Sequence, residues 1–286
     1  MRIGIVGLGY WGKIILKNLR ELGYDNIVIC ESSPIDWSSI GSKYPEVNSY
    51  KELNCEKVFV VTPPESHFNI CSYFLENGQD VFCEKPLTLD LSTSETLYRI
   101  AKRKNKGSLF VDWIFTFNPC VEAIGKIIEC YGPPKNIMGN RLNYGPVRTD
   151  VSARWDLASH DVSIALHLLR EMPIHIQWTD FRRNGLSTQA DSTVGVLSFE
   201  NTTVQINASW EYGKKDRTYT LEFDDGFVYW DDSTMSVKSD FCELSIGPVS
   251  PLHNSINSFI NDAFSKNEQE ILTLNTIKVL SHESSI

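Results

Sequence analysis

The sequence predicts an α/β chain in two parts. A doubly wound parallel sheet comes first, and an α+β part with a large, mostly antiparallel open sheet follows. Three observations carry this. Short apolar runs alternate with amphipathic helical stretches up to about residue 118, the rhythm of parallel strands joined by crossover helices. Three glycines at fixed spacing follow the first run directly. Beyond about residue 120 the runs alternate apolar with polar residues, the pattern of antiparallel strands with one covered face. The expected division is 1–118 and 119–286, with the closing helix a candidate to pack back on the first part.

The first strand is Ile3, Ile5 and Val6, and G-L-G-Y-W-G follows at 7–12. Gly7 permits a tight turn, Gly9 lets backbone approach a pyrophosphate, and Gly12 lets the next helix, about 11–22, pack close to the sheet. The free N–H groups and dipole of that helix suit phosphates. Gly7, Gly9, Tyr10, Trp11 and Gly12 are therefore candidate cofactor contacts. A second strand, I-V-I-C at 27–30, ends in Glu31, near the distance expected of a carboxylate that accepts from ribose hydroxyls. That charge favours NAD over the 2′-phosphate of NADP, although Ser32 and Ser33 soften the preference and leave NADP open.

The third run, V-F-V-V at 58–61, is closed by Thr62-Pro63-Pro64, because proline cannot donate to a ladder. A helix over about 65–77 stops at Gly78. V-F-C at 81–83 then leads into Glu84-Lys85-Pro86, and a helix over about 92–104 precedes S-L-F-V at 108–111. Parallel sheets bind ligands beyond the carboxyl ends of their strands. Thr62, Pro63, Glu84 and Lys85 lie at such ends and are candidate contacts near the nicotinamide. Lys85, fixed beside Pro86, can polarise or deprotonate a hydroxyl; the alternative is a lysine paired with Glu84 at the rim.

In the second part, a helix near 121–131 meets Gly-Pro-Pro at 132–134. Strand-like runs follow at 137–143, 174–178, 193–199, 203–210, 217–223 and 227–230, and Glu200-Asn201-Thr202 marks a hairpin. Two closing helices are read at 255–260 and 270–280. Between the first two runs, A-R-W-D-L-A-S-H-D-V-S-I-A-L-H-L-L-R at 153–170 reads as a helix. On it Asp156 and His160 are four apart and share a face, with Ser163 and His167 along the same stripe. A carboxylate one turn before an imidazole suits a general base. The alternative is a satisfied histidine with Asp156 as a helix cap, and His167 is read as structural.

Composition narrows the classes. The chain has 286 residues with 27 Lys and Arg against 36 Asp and Glu, a net charge of -9. That disfavours a nucleic-acid surface. Its apolar stretches are too short for a membrane span, and it enters an apolar strand at once, without the pattern of a secretory signal. Seven scattered cysteines without a C-x-x-C pair fit reduced cytoplasmic thiols. No histidine or cysteine spacing supports a metal site.

Taken together, G-L-G-Y-W-G-K at 7–13, V-T-P-P-E-S-H at 61–67, C-E-K-P-L at 83–87 and W-D-L-A-S-H-D at 155–161 resemble the Gfo/Idh/MocA family of oxidoreductases. The resemblance implies a Rossmann domain followed by a mixed α/β substrate domain. It also implies NAD or NADP, sugar or polyol substrates, and homodimers or homotetramers formed through the open sheet. It matches Lys85 to the family lysine near the substrate hydroxyl, His160 to the acid/base, and Asp156 to its supporting aspartate. The W-D-L-A-S-H-D form looks most like the branch acting on nucleotide-linked sugars. The lead before the aspartate is V-S-A-R-W rather than glycine-rich, and the acid after the histidine is Asp161, immediately adjacent. Rival readings are a non-enzymatic dinucleotide sensor or scaffold, which needs neither Lys85 nor His160, and a reductase of a non-sugar carbonyl or imine.

Overall fold

A computed structural model describes residues 1–182 and 189–283. The chain falls into two units: Met1–Trp113 with Leu252–Leu274, and Ile114–Pro251 with the residues from Asn275 on.

The first unit is built on a six-stranded sheet whose described pairings are all parallel. In chain order its elements are β1 (Ile3–Val6), α1 (Tyr10–Glu21), β2 (Ile27–Cys30), β3 (Glu46–Val47), β4 (Lys57–Val60), α2 (Pro64–Glu76), β5 (Asp80–Cys83), α3 (Leu91–Ala101) and β6 (Leu109–Val111). The strand order β3-β2-β1-β4-β5-β6 reverses direction between β1 and β4. This switch point is where open α/β sheets bind ligands. β1, β2 and β4 are buried along their whole length, which explains their continuous apolar runs.

The second unit carries a seven-stranded sheet of order β13-β12-β11-β7-β10-β9-β8. It begins with α4 (Pro119–Tyr131) and β7 (Asn136–Tyr144), and a π turn at Arg154–Ala158 runs into α5 (Ser159–Leu169). The remaining strands are β8 (His175–Phe181), β9 (Ser192–Ser198), β10 (Thr203–Ser209), β11 (Glu211–Glu222), β12 (Phe227–Asp231) and β13 (Ser236–Ser239). One pairing, β7 with β10, is parallel; the others are antiparallel. One face buries Ile137, Arg141, Ile206, Tyr219, Leu221 and Trp230. On the opposite face Met138, Thr220 and Tyr229 stand in one register row, and Met138 and Tyr229 are exposed.

The closing helices are α6 (Pro251–Ile260) and α7 (Lys266–Leu280). Beside the expected division at 118/119, with the closing helix a candidate for the first part, the units divide at 113/114, and the whole segment 252–274 groups with the first unit. Phe259 packs 5.3, 5.5 and 5.7 Å from Phe59, Phe82 and Phe110. Thr273 Oγ1 accepts from both Tyr98 Oη and Trp113 Nε1 at 2.9 Å. The buried Lys57 ammonium pairs with Asp80 at 3.2 Å and with Asp262 at 2.6 Å. The last turns of α7 serve the second unit, where Trp178 Nε1 donates to Val279 O at 3.0 Å.

Two strands had no sequence signal. β3 has two residues and β13 has four, both at sheet edges. The segment expected as one helix over 153–170 begins as a π turn, so Asp156 stands where the helix is widened. Such turns recur at functional sites. Among the described residues, no helix is long and apolar enough to cross a membrane. All seven cysteines are free thiols.

Candidate functional site

The three glycines of the loop have different surroundings. Gly7 has a φ of +92°, and a Cβ there would lie 2.8 Å from the Val61 carbonyl oxygen. At Gly12 a Cβ would lie 2.2 Å from Gly7 O, so the start of α1 rests directly on the loop. Gly9 is different, since a Cβ there would meet no protein atom within 4 Å. The protein does not need that space empty for its own packing. No side chain caps the first turn of α1, so its orphan N–H groups remain for an acceptor. These residues fit the pyrophosphate of a dinucleotide. Gly9→Ala is expected to change stability by less than about 1 kcal/mol, while NADH binding weakens about tenfold or more. Gly12→Ala is expected to cost about 1–3 kcal/mol of stability through overpacking. Denaturant melts beside NADH fluorescence titration check both, and equal binding by Gly9→Ala and wild type would remove Gly9 from the cradle.

Glu31 follows β2 and is drawn back to the loop. Its Oε2 accepts from Leu8 N at 2.6 Å, and its Oε1 accepts from Ser32 N at 2.7 Å and Ser33 N at 3.2 Å. Burial raises its pKa, but the Leu8, Ser33 and Ser32 donors outweigh this and hold the carboxyl below the usual carboxylate range. Glu31 thus keeps its negative charge at neutral pH. Tyr10 is 83% exposed. Trp11 turns its indole N–H onto Glu84 Oε1, so these two expected cofactor contacts bind each other and tie the glycine loop to the strand end that carries Lys85.

Lys85 is half-buried after β5, and the Lys85–Pro86 peptide is cis. A residue the sequence reading passed over fixes this turn. His67 of α2 is fully buried, with Nδ1 3.0 Å from Pro86 O and Nε2 2.7 Å from Thr62 O. It therefore bridges the Thr62-Pro63-Pro64 turn to the Glu84-Lys85-Pro86 turn. Burial holds its pKa below the ordinary imidazole range against the pull of the Thr62, Pro86 and Leu87 carbonyls. Its only sequence signal is its place in V-T-P-P-E-S-H.

In the second unit Asp156 lies in the π turn. Its Oδ1 accepts from Arg148 Nη1 at 3.2 Å and its Oδ2 from Trp210 Nε1 at 3.3 Å. His160, half-buried in the first turn of α5, meets Phe115 edge to face at 5.0 Å. The Arg141 guanidinium lies 4.3 Å from the same Phe115 ring. The adjacent acid, Asp161, is not a rim group. It is fully buried, and its Oδ1 accepts from Arg141 Nε at 2.8 Å and Tyr219 Oη at 2.5 Å. That network anchors the helix carrying His160 to β7 and β11. Of the rest of the expected stripe, Ser163 is buried and donates to His160 O at 2.7 Å, whereas His167 is exposed. Asp156 and His160 belong to one continuous π–α segment of the second unit; Lys85 belongs to the first. Among the described residues, no three His, Cys, Asp or Glu side chains are grouped to hold a metal ion.

Comparison with known proteins adds four findings. The chain is 22% identical to UDP-N-acetylglucosamine 3-dehydrogenase of Acidithiobacillus ferrooxidans over 71% of its length and 65% of that protein. It is 24% identical to inositol 2-dehydrogenase of Rhizobium meliloti over 63% of its length and 58% of that protein. The matches thus span less than two thirds of these curated relatives. The fold is similar to that of the WlbA dehydrogenase from Bordetella pertussis, solved with NADH and UDP-GlcNAcA, at a TM-score of 0.84 and 17% identity, covering 98% of this chain and 94% of that one. Residues 1–112 match the family model GFO_IDH_MocA, described as an oxidoreductase family with an NAD-binding Rossmann fold. With the glycine loop and parallel sheet they form, these residues are a Rossmann unit similar to that family model.

Proposed function

We propose that the protein is an NAD-dependent dehydrogenase or reductase that acts on a secondary hydroxyl or keto group of a sugar or polyol, with nucleotide-linked sugars the first class to examine. The observation that carries this is Lys85, set at the end of β5 in a family-matched dinucleotide unit and tied through Glu84 and Trp11 to the glycine loop. Support for the substrate class comes from the likeness to a UDP-N-acetylglucosamine 3-dehydrogenase and to a dehydrogenase solved with UDP-GlcNAcA. An inositol dehydrogenase is a similar relative, so polyols belong in the same panel. The fixed negative charge of Glu31 favours NAD, because a 2′-phosphate near it would meet repulsion.

A bound nicotinamide supplies hydride acceptance or donation. The protein's part is proton handling and charge placement. In the oxidative direction His160 takes the hydroxyl proton. Lys85 donates a hydrogen bond to the same oxygen and stabilises the charge that develops there. Asp156, already held by Arg148 and Trp210, supports His160. The exposed sheet face with Met138 and Tyr229 is the proposed surface for pairing with a second copy.

The test is absorbance at 340 nm with NAD or NADP and a panel of free sugars, polyols and nucleotide-linked sugars, beside NADH and NADPH titrations. The expected result is tighter NADH than NADPH binding, with turnover confined to one sugar class. Cofactor binding with turnover on none of the panel would favour a sensor, and tighter NADPH binding would overturn the role given to Glu31.

A further inference from the structure

We propose that Asp112 and Glu84 are a proton-sharing carboxyl pair, with one proton held between Asp112 Oδ2 and the Glu84 carboxylate, so that together they place a single negative charge beside Lys85.

The placement starts with strand register. β5 and β6 run parallel with Cys83 opposite Val111, and each strand continues into an acid, Glu84 and Asp112. The Asp112 N–H donates to Cys83 O at 2.9 Å, which fixes the two strand ends side by side. Asp112 is only 1% exposed. Its Oδ1 accepts from the Ser255 hydroxyl of α6 at 2.5 Å. Its Oδ2 is buried and meets no hydrogen-bond partner among the described residues. Glu84 Oε1 is committed to the Trp11 indole.

Two ionised carboxylates in such a place would repel each other in low dielectric, and a buried acceptor without a donor is costly. One proton relieves both. It turns Oδ2 into a donor toward Glu84 and removes one of the two charges, the logic of paired acids at close quarters. Among the described residues, the ionisable groups that act on the pair are Lys85, beside Glu84, and the Cys83 thiol on β5. Ser255 faces it from α6 and Trp11 from α1; neither of these is charged. The electrostatics agree in direction. Burial pushes Asp112 up to about 7, against the Ser255 hydroxyl and the Lys85 charge. Burial and the Asp112 charge push Glu84 well above the carboxylate range. The consequence for Lys85 rests on the function proposed above: the pair presents one carboxylate charge to its ammonium, and loss of the shared proton adds a second. The pair itself does not rest on that function.

Infrared difference spectroscopy of the full chain across pH tests the pair without any substrate. The expected wild-type spectrum keeps a protonated-carboxyl carbonyl band above about pH 6, where ordinary carboxyls are ionised, and loses it near neutrality. Asp232 of the second unit is also raised by burial, so the variants make the assignment. Asp112→Asn should lose the band. Glu84→Gln, which removes the repelling partner, should move its midpoint down. Ser255→Ala, which removes the donor to Oδ1, should move it up, and it carries the test if Asp112→Asn does not fold. A wild type without the band, a band that survives Asp112→Asn, or a midpoint indifferent to Glu84→Gln or to Ser255→Ala would overturn the pair. Failure to find sugar turnover would leave the spectra as they are, so the two proposals fail separately.

Discussion

Lys85→Ala and His160→Ala are each expected to lower kcat by about 10²- to 10⁴-fold, the range that positioned acid–base groups contribute, while NADH still binds. The two should differ in form. In the proposed reaction His160 handles the proton, so its loss should flatten the limb of the pH–rate profile on which the base must be neutral. In that same proposal Lys85 is the fixed donor to the substrate oxygen, so Lys85→Arg should recover little. A guanidinium has another shape and does not give up its proton in this range. Steady-state rates across pH on whichever substrate the panel identifies, with NADH affinity measured for each variant, make the comparison. Wild-type turnover in both alanine variants would remove these residues from the chemistry.

Asp161→Ala is expected to cost about 3–5 kcal/mol of stability, the usual result of stripping one partner from a buried ion pair. Arg141 is 1% exposed and has no water to fall back on, and Tyr219 Oη would lose its acceptor at the same moment. Replacing both ends by apolar residues, Arg141→Met with Asp161→Leu, should recover much of the loss, because neither charge is then stranded. Urea melts of the three proteins decide it. A single variant that costs less than about 1 kcal/mol would mean that the pair is hydrated in solution. Because Asp161 is next to His160, the single variant should also lose activity through the seating of α5.

How much of this was legible in the sequence depended on whether a feature is local. The first sheet could be read because each central strand is a continuous apolar run and each crossover a helix-period stretch. β3, two residues at an edge, offers no periodicity to find. Gly7, Gly12 and Lys85 stood out because turn chemistry and chain punctuation are local. His67, Asp112 and the Arg141–Asp161 pair did not, since polar residues read as surface until tertiary contacts bury them. The π turn was invisible for a related reason: apolar spacing reports that a helix is present, not how many residues its first turn holds. Of the segment 252–274, only the closing helix was expected to return to the first part; the stretch around Phe259 was not, because Phe259 shows its worth only beside Phe59, Phe82 and Phe110.

That return has a meaning for the order in which the chain is made. When residue 113 has left the ribosome, every strand of the first sheet is present, yet the aromatic surface of Phe59, Phe82 and Phe110 still lacks its cover and Lys57 lacks one of its two carboxylates. At synthesis rates of about 5–20 residues per second, the missing helix arrives on the order of 10 s later. Throughout that interval the nascent first unit has no Phe259 to cover that aromatic face. A fragment ending at 113 would keep that face for good, so the dinucleotide unit is better excised for study as 1–113 joined to 252–274.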